Sequence, residues 1–543
     1  MKYSNILNKP FAISALMLVA LFSACTKNYD LYNTNPNTLS PDDLKKDNVG
    51  AGTFIPTMQV NVFYNLKKDD WKYQVQQNLN ADAFSGYFAP VGFGDQSNAN
   101  YNLNVGWNTW PFRVAYEGIM GNWKALKSFA AGAPQVIAVS DILKVEGMHR
   151  VTDIYGPIPY SKFGVNALVT PYDSQETVYN TFFQELDNAI KVLTDYVAKN
   201  PSDNSLSKFD LVYNGNYKQW IKFANSLKLR LAIRIAYVNP SLAKTKAEEA
   251  VANSFGLLTT QADNALVVGG KGITTNNGLR VDDIDYKNSR MNASIESILK
   301  GFNDGRLSKY FQISPNLDKG YLGTVGDFKG VRTGIVMNGG TYEARTYSVN
   351  LTEQSPVQYM CAAEVSFLRA EGALRGWNMG GTPQSFYEQG IRLSFAQYGA
   401  NGVDEYIADN TSTQAAYTDP TGITANNVPA GSNLLSTTTV KWDESASKQI
   451  KLERIITQKW IAVFPDGQEA WSEFRRTGYP KIFPVVNNAS GGRIDTQIQI
   501  RRLPFSDDEY KTNTAEVSKA VALLGGADTG GTRLWWDIPN KNL

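Results

Sequence analysis

Residues 175–197 read QETVYNTFFQELDNAIKVLTDYV. Within them Val178, Phe182, Leu186, Ile190 and Leu193 recur three or four residues apart, the spacing that lays side chains along one face of an α-helix. Asp173-x-x-Glu176, just ahead of the run, has the form of a capping box. After a connector holding Pro201, Asn204 and Gly215, the pattern returns from Tyr217 to Val238, with Trp220, Phe223, Leu227, Leu231 and Ile235 on one face. Two long amphipathic helices joined by one turn-rich connector bury their apolar stripes against each other, as a helical hairpin.

The same period extends outward in both directions. It predicts helices over Thr53–Asn65, Ile142–Ile154, Leu242–Asn253, Ile295–Gly301, Val357–Gly376, Gln384–Gly399 and Lys448–Phe464. No fixed 34-residue repeat is visible, so spacing by itself predicts a mainly α frame without proving a repeat architecture. Residues 255–356 are richer in glycine, asparagine and short extended pieces and read as loops decorating that frame. The Thr/Asn/Ala/Gly-rich segment Asn401–Thr438 reads as a flexible surface loop, and the tail from Arg493 as extended and polar, ending in Leu534-Trp535-Trp536-Asp537.

The 543 residues are 43% hydrophobic and 19% charged, which suits a globular chain with a sizeable core. Fifty-three basic against fifty-one acidic side chains leave a formal charge of +2 without a dense basic patch, which argues against a nucleic-acid partner. His149 is the single histidine and reads as structural, so most metal and triad chemistry drops out and no metal or cofactor is expected. Cys361 sits in an apolar helical pattern and reads as a buried, inert thiol. Asp282, Asp283 and Asp285 lack the glycine and closing glutamate of an EF-hand loop and read as a solvated acidic turn.

The first residues set the location. Lys2 and Lys9 precede the apolar run FAISALMLVALF (residues 11–22), and Ser23-Ala24 leads into Cys25. Twelve apolar residues make an export signal and fall short of the roughly 18 to 20 that a spanning helix needs. Leu21-Phe22-Ser23-Ala24-Cys25 resembles a bacterial lipobox, with Phe22 departing from the usual leucine, so Cys25 is the expected lipidation site. A plain secretory peptide is the alternative. Two or more acyl chains hold a protein stably on a bilayer without crossing it. The expected organisation is a signal over 1–24, a lipidated tether over 25–50 and one helical binding domain over 51–543.

Between Tyr64 and Phe112, eleven of 49 residues are aromatic, about 22% against 12% for the whole chain, and asparagines are interleaved with them. Sugars present apolar C–H faces rimmed by hydroxyls, so a sugar site needs flat rings beside amide and carboxylate partners. On that chemistry Trp71, Tyr87, Trp107 and Trp110 are the expected stacking platforms, with Asn80 and Asp82 as polar partners. The alternative is that the rings cement a loop-rich packing layer.

Several stretches together resemble the SusD/RagB family of outer-membrane lipoproteins, in its SusD-like, starch-binding-associated branch. They are Asp153-Ile-Tyr-Gly-Pro-Ile-Pro-Tyr160, Ala363 through Glu371, Gln458-Lys459-Trp460, Asp466 through Trp471, Arg475 through Pro480, and Arg502-Leu-Pro-Phe505. Asn303-Asp-Gly-Arg-Leu307 looks like the family's NDPRL turn with glycine in place of proline. The resemblance implies a right-handed superhelix of tetratricopeptide-like helix pairs with loop-rich, ligand-binding decoration. It also implies a non-catalytic role: capping a SusC-like TonB-dependent barrel in the outer membrane, facing the cell exterior, and handing it oligosaccharide or, in some members, peptide. Glu364 and Glu371 are expected to pair with basic groups or cap neighbouring helices. A lipid-anchored glycoside hydrolase, which needs only two carboxylates about 5–10 Å apart, and a surface adhesion protein remain alternatives.

Overall fold

The computed structural model describes residues 49–543 apart from 94–96, 166–168 and 336–338. The signal segment, Cys25 and nearly all of the expected tether lie outside the described residues. Helix α1 (Phe54–Val62) leads into the aromatic stretch, and the later helices pack as consecutive pairs. These are α2 (Pro134–Tyr155) with α3 (Gln175–Lys199), α4 (Tyr217–Arg234) with α5 (Pro240–Ala252), α6 (Ala362–Leu374) with α7 (Pro383–Tyr398), and α8 (Lys448–Ala462) with α9 (Gly467–Thr477). Helix α3 packs on α4, α4 on α6 and α6 on α8, so the pairs stack into a tetratricopeptide-like array. Among the described residues no helix is long and apolar enough to cross a membrane.

The apolar stripe of residues 175–197 does what its period predicts. Val178, Phe182, Leu186, Ile190 and Leu193 are all buried against the neighbouring helices. The Tyr179 hydroxyl donates to Asp153 at 2.7 Å and Lys144 meets Glu185 at 2.6 Å, so residues ascending α3 face residues descending α2. The N-cap differs from the capping box read in the sequence. Ser174 has the extended backbone of a cap and accepts from Thr177 N at 3.2 Å. Asp173 instead accepts from the amide and hydroxyl of Ser161, closing the loop between α2 and α3.

Three further readings are corrected. Residues Val357–Met360 form a strand paired antiparallel with Ala265–Val267, and helix begins only at Ala362, because a four-residue run is too short for its period to separate strand from helix. The segment 401–438 contains a short helix (Val403–Ala408) and docks on the body through buried Tyr406, Tyr417 and Val428, with Asp419 held by Tyr342 and Asn426. The tail forms helices at Asp507–Thr512 and Thr514–Leu523, and Trp536 is buried with its indole N–H on Asp153.

The centre of the array is charged. Arg230 makes a two-pronged contact with Glu364 at 2.7 and 2.8 Å. Arg150 does the same with Asp466 at 2.8 and 3.0 Å, and Lys459 meets Glu469 at 2.7 Å. All six side chains are buried. Buried charges persist only when paired and hydrogen-bonded, so this lattice fixes which helices can face one another.

Candidate ligand-binding site

The aromatic stretch folds into short helical pieces rather than one regular element. Trp71–Tyr73 begins a turn that continues as a π-helix over Gln74–Asp82, and the short helices Val105–Asn108 and Trp110–Ala115 carry the later tryptophans. Trp71 is 39% exposed, and its ring meets that of Trp110 edge-on with centroids 4.8 Å apart. The Arg113 guanidinium lies over the Trp110 ring at 4.8 Å and is held there by Asp508. Trp107, half-buried, sits edge-on to Phe93 at 5.0 Å. Three of the four expected platforms therefore keep solvent-reachable ring surface, and two of them touch.

The other expected site residues belong to the interior. Tyr87 is fully buried, its ring against Trp460 and Phe464 and its hydroxyl donating to the Trp460 carbonyl, so it has no face to offer a sugar. Asn80 is fully buried, donating to Val75 O at 2.8 Å and accepting from Asn98 at 2.6 Å. Asp82 is also fully buried, accepting from the Tyr73 hydroxyl at 3.0 Å and from Gln77 at 2.9 Å. Burial pushes its carboxyl up to about 7 against the pull of those two hydrogen bonds. Clustering of rings and amides does not tell an inward side chain from an outward one, and over Gln74–Asp82 the wider π-helical turn also removes the 3.6-residue period that could have done so.

Asn98 organises the loop that carries Trp107. Its side-chain oxygen accepts from the backbone N–H of Asn104 at 2.7 Å, which fixes the orientation of the amide. Its nitrogen therefore donates, reaching Asn80 Oδ1 at 2.6 Å and Asn108 Oδ1 at 2.9 Å. Asn104 in turn caps the Trp107 helix, accepting from Trp107 N at 3.2 Å. The asparagines interleaved with the rings thus form the scaffold of the site.

Beside this loop lies a cleft of about 280 Å³. Leu103, Val105 and Asn108 form one wall, and Arg493, Ile494 and Phe505 are among the residues of the other. Asp528 also lines it, but its carboxylate is engaged by Arg502, by Phe505 N at 3.1 Å and by the Tyr510 hydroxyl at 2.8 Å. The far wall comes from segments about four hundred residues downstream; Pro504 and Phe505 belong to the Arg502–Phe505 stretch quoted above, but nothing in the sequence sets that stretch beside residues 101–108.

The other groups singled out in the sequence are structural. His149 is buried with Nδ1 3.2 Å from Val145 O, and burial, together with Arg150 and Arg230, holds its pKa well below the usual value. Burial pushes the Cys361 thiol up to about 12. Asp282 and Asp283 are buried rather than solvated; Asp283 pairs with Arg290, while neither carboxylate oxygen of Asp282 has a hydrogen-bond partner. Among the described residues no group of three or more histidine, cysteine, aspartate or glutamate side chains is placed to hold a metal ion.

A family model described as SusD and RagB outer membrane lipoprotein matches residues 31–537. The chain belongs to this SusD-like family. Among solved structures, a chitin-binding SusD homologue from Flavobacterium johnsoniae is 44% identical, with 91% of this chain and 100% of that one covered and a TM-score of 0.85. A SusD homologue from Bacteroides uniformis is 41% identical over 90% of this chain and 99% of that one, with a TM-score of 0.81. A SusD-like protein from Bacteroides thetaiotaomicron is 35% identical over 91% of this chain and 100% of that one, with a TM-score of 0.83. No curated protein matches the chain.

The stretches that resembled the SusD-like family are its buried skeleton here. Glu364 and Glu371 pair with Arg230 and Arg476, as expected. Arg306 of the 303–307 turn grips Asp304 at 2.6 Å, and Arg502 donates to Tyr155 O at 2.8 Å. Gly156, at φ +86°, turns the chain out of α2 in a conformation that side chains rarely adopt. In this SusD-like chain the family motifs set the frame, and Trp71, Trp107 and Trp110 lie outside them.

Proposed function

We propose that the protein is a lipid-anchored, non-catalytic receptor on the outer surface of the outer membrane. It binds oligosaccharide and passes it to a SusC-like TonB-dependent transporter. The observation that carries this reading is the half-exposed pair Trp71 and Trp110, braced by Arg113, in a chain of this family. Rings held edge-on by their neighbours present faces to a ligand without losing conformational entropy on binding. The 44% identical relative described as chitin-binding supports carbohydrate as the class. Binding rather than hydrolysis fits the lining of the cleft, where Asp528, the one carboxylate, is already engaged by Arg502, whereas a glycosidase needs a facing pair.

The test is calorimetric titration of the full-length protein, purified in detergent, against a panel of neutral oligosaccharides, alongside Trp71→Ala and Trp110→Ala. Binding by the wild type that weakens roughly tenfold or more, about 1.4 kcal/mol, in each variant is expected. Equal affinity in all three proteins sinks the site, and no binding to any glycan sinks the class. Co-purification from gently solubilised outer membranes reads the transporter partnership, which fails if the lipidated protein emerges alone.

A further inference from the structure

Asp282 is 1% exposed, and neither of its carboxylate oxygens has a hydrogen-bond partner. The acids around it are all provided for. Asp283 pairs with Arg290 and accepts from Val349 N at 2.6 Å, and Asp82 holds Tyr73 and Gln77. Asp70 accepts from the Tyr286 hydroxyl at 2.9 Å and from Asn276 Nδ2 at 3.3 Å. Asp82, Asp283 and Asp70 also lie near enough to Asp282 to repel its charge. A buried carboxylate persists only with a cation or a set of donors, and here the protein supplies neither.

Three amide oxygens of the same seam are unpartnered too: Asn65 Oδ1, Asn78 Oδ1 and Asn276 Oδ1, on side chains between 1% and 5% exposed. The chain brings them to Asp282 from two sides. Asn276 N donates to Asn65 O at 2.8 Å, and Asn276 spends its side-chain nitrogen on Asp70. A carboxylate only accepts, so that bond fixes the amide and leaves Asn276 its oxygen. Between Asn276 and Asp282, the turn Gly278–Arg280 packs on Trp71–Tyr73 so closely that a Cβ on Gly278 would lie 2.3 Å from the Cβ of Tyr73. On the other side Asn78 Nδ2 reaches Ser289 Oγ at 3.4 Å, and the adjoining Asn288 donates its N–H to Asp282 O at 3.0 Å. Asp282 itself sits in a second π-helical turn, Val281–Asp285, set against the one over Gln74–Asp82.

Five oxygens of one seam thus lack a donor. A proton on Asp282 cancels the charge but supplies a single donor, and a water supplies two. A hard cation supplies the charge and takes roughly six to eight oxygens from carboxylates, amide side chains and waters. The set is rich in amides with one carboxylate, unlike clusters of three or more acidic or imidazole side chains, which the described residues lack. Ligands drawn from three separate segments, with no octahedral cage, suit calcium better than magnesium. Gln74 Nε2 is unpartnered as well, and a half-turn of that amide presents its oxygen instead.

We infer that Asp282, with Asn65, Asn78 and Asn276, forms a calcium site that ties residues 276–285 to the turn bearing Trp71. The cation bridges three stretches of chain beneath that ring and holds the Asp282 charge in the interior. Without it, a proton neutralises the carboxylate instead. The site is made of protein oxygens alone and stands whether or not the ligand is a glycan.

The experiment strips the full-length protein in detergent with EDTA, dialyses it, and titrates it calorimetrically with calcium chloride. One calcium per chain is expected. At a hundredfold excess over the dissociation constant the melting temperature should rise by about 2–4 °C, and hydrogen exchange should slow at residues 71–82 and 276–285. Asp282→Asn keeps the shape and removes the charge, so binding should weaken at least tenfold, by about the loss of one ligand charge, and the melting shift should vanish. Asn65→Ala removes an oxygen with no other partner and should weaken binding about tenfold, which decides the matter if Asp282→Asn fails to fold. A wild type that binds no calcium overturns the site and leaves the seam to water and a proton. Equal affinity in a folded Asp282→Asn or in Asn65→Ala overturns it too, as does binding still unsaturated at about 10 mM, the mark of an adventitious ion only.

Discussion

Arg476 holds Glu371 in a parallel, two-pronged contact, Nη1 on Oε1 at 2.7 Å and Nη2 on Oε2 at 2.6 Å, with both side chains buried. That contact joins α9 to α6, and within α9 Arg476 also reaches Glu473. Burial raises the Glu473 carboxyl, yet Arg476, Lys459 and Arg234 outweigh it and hold the group down to about 2. Arg476→Met keeps most of the volume and takes from two buried carboxylates the cation they share. The expected cost is about 3–5 kcal/mol, checked by the denaturant midpoint. A change below about 1 kcal/mol would mean that the remaining cations can carry both acids.

Asn98→Ala removes one buried side chain and orphans Asn80 Oδ1, Asn108 Oδ1 and Asn104 N. The loss should be about 1–3 kcal/mol, concentrated locally. Hydrogen exchange is expected to quicken at residues 101–108 while α3 and α4 keep their protection. Uniform loss across the chain would show that the amide supports the whole fold rather than this loop.

Trp71 and Tyr87 make a direct contrast within one aromatic stretch. Trp71→Ala removes a half-exposed ring and should weaken glycan binding with little change in melting temperature. Tyr87→Phe should leave binding intact and lower stability by about 0.5–1.5 kcal/mol, since only the hydrogen bond to Trp460 O is lost. The reverse pattern would move the ligand site into what is now the interior.

Burial keeps Asp82 protonated up to about pH 7 in the folded state, and burial, with Asp82 and Asp283 nearby, drives Asp282 the same way. In the unfolded chain both release their protons near pH 4. Between those limits the folded state binds more protons, so this contribution to stability is present below about pH 4 and is lost as pH rises toward 7. Urea melts at pH 5 and pH 8 should show the decline, and Asp82→Asn should flatten it. An unchanged slope in the variant would assign the titration elsewhere.

Much of the frame was legible because long helices repeat one demand every turn. The runs at 175–197 and 217–238 declared their buried faces, and α7 and α8 fall within two residues of the ends that period predicted. The aromatic stretch was legible as a region and opaque in the roles of its residues. Asn80, Asp82 and Asn98 look alike in a list of polar residues near rings. Their assignment as scaffold depends on a π-helical turn and on backbone donors that only the folded chain brings near.

By itself the sequence determined the mainly helical frame, the family, and the density of rings and amides between Tyr64 and Phe112, because periodicity, motif and composition are local properties. Tertiary structure decided which rings face outward, which carboxylates are buried with a partner and which without, and that residues 101–108 share a cleft with 489–494 and 504–530. Those facts rest on contacts between segments hundreds of residues apart. Tyr87 is core because Trp460 and Phe464 pack on its ring and the Trp460 carbonyl accepts its hydroxyl hydrogen bond, and Asn108 is scaffold because Asn98 donates to its oxygen.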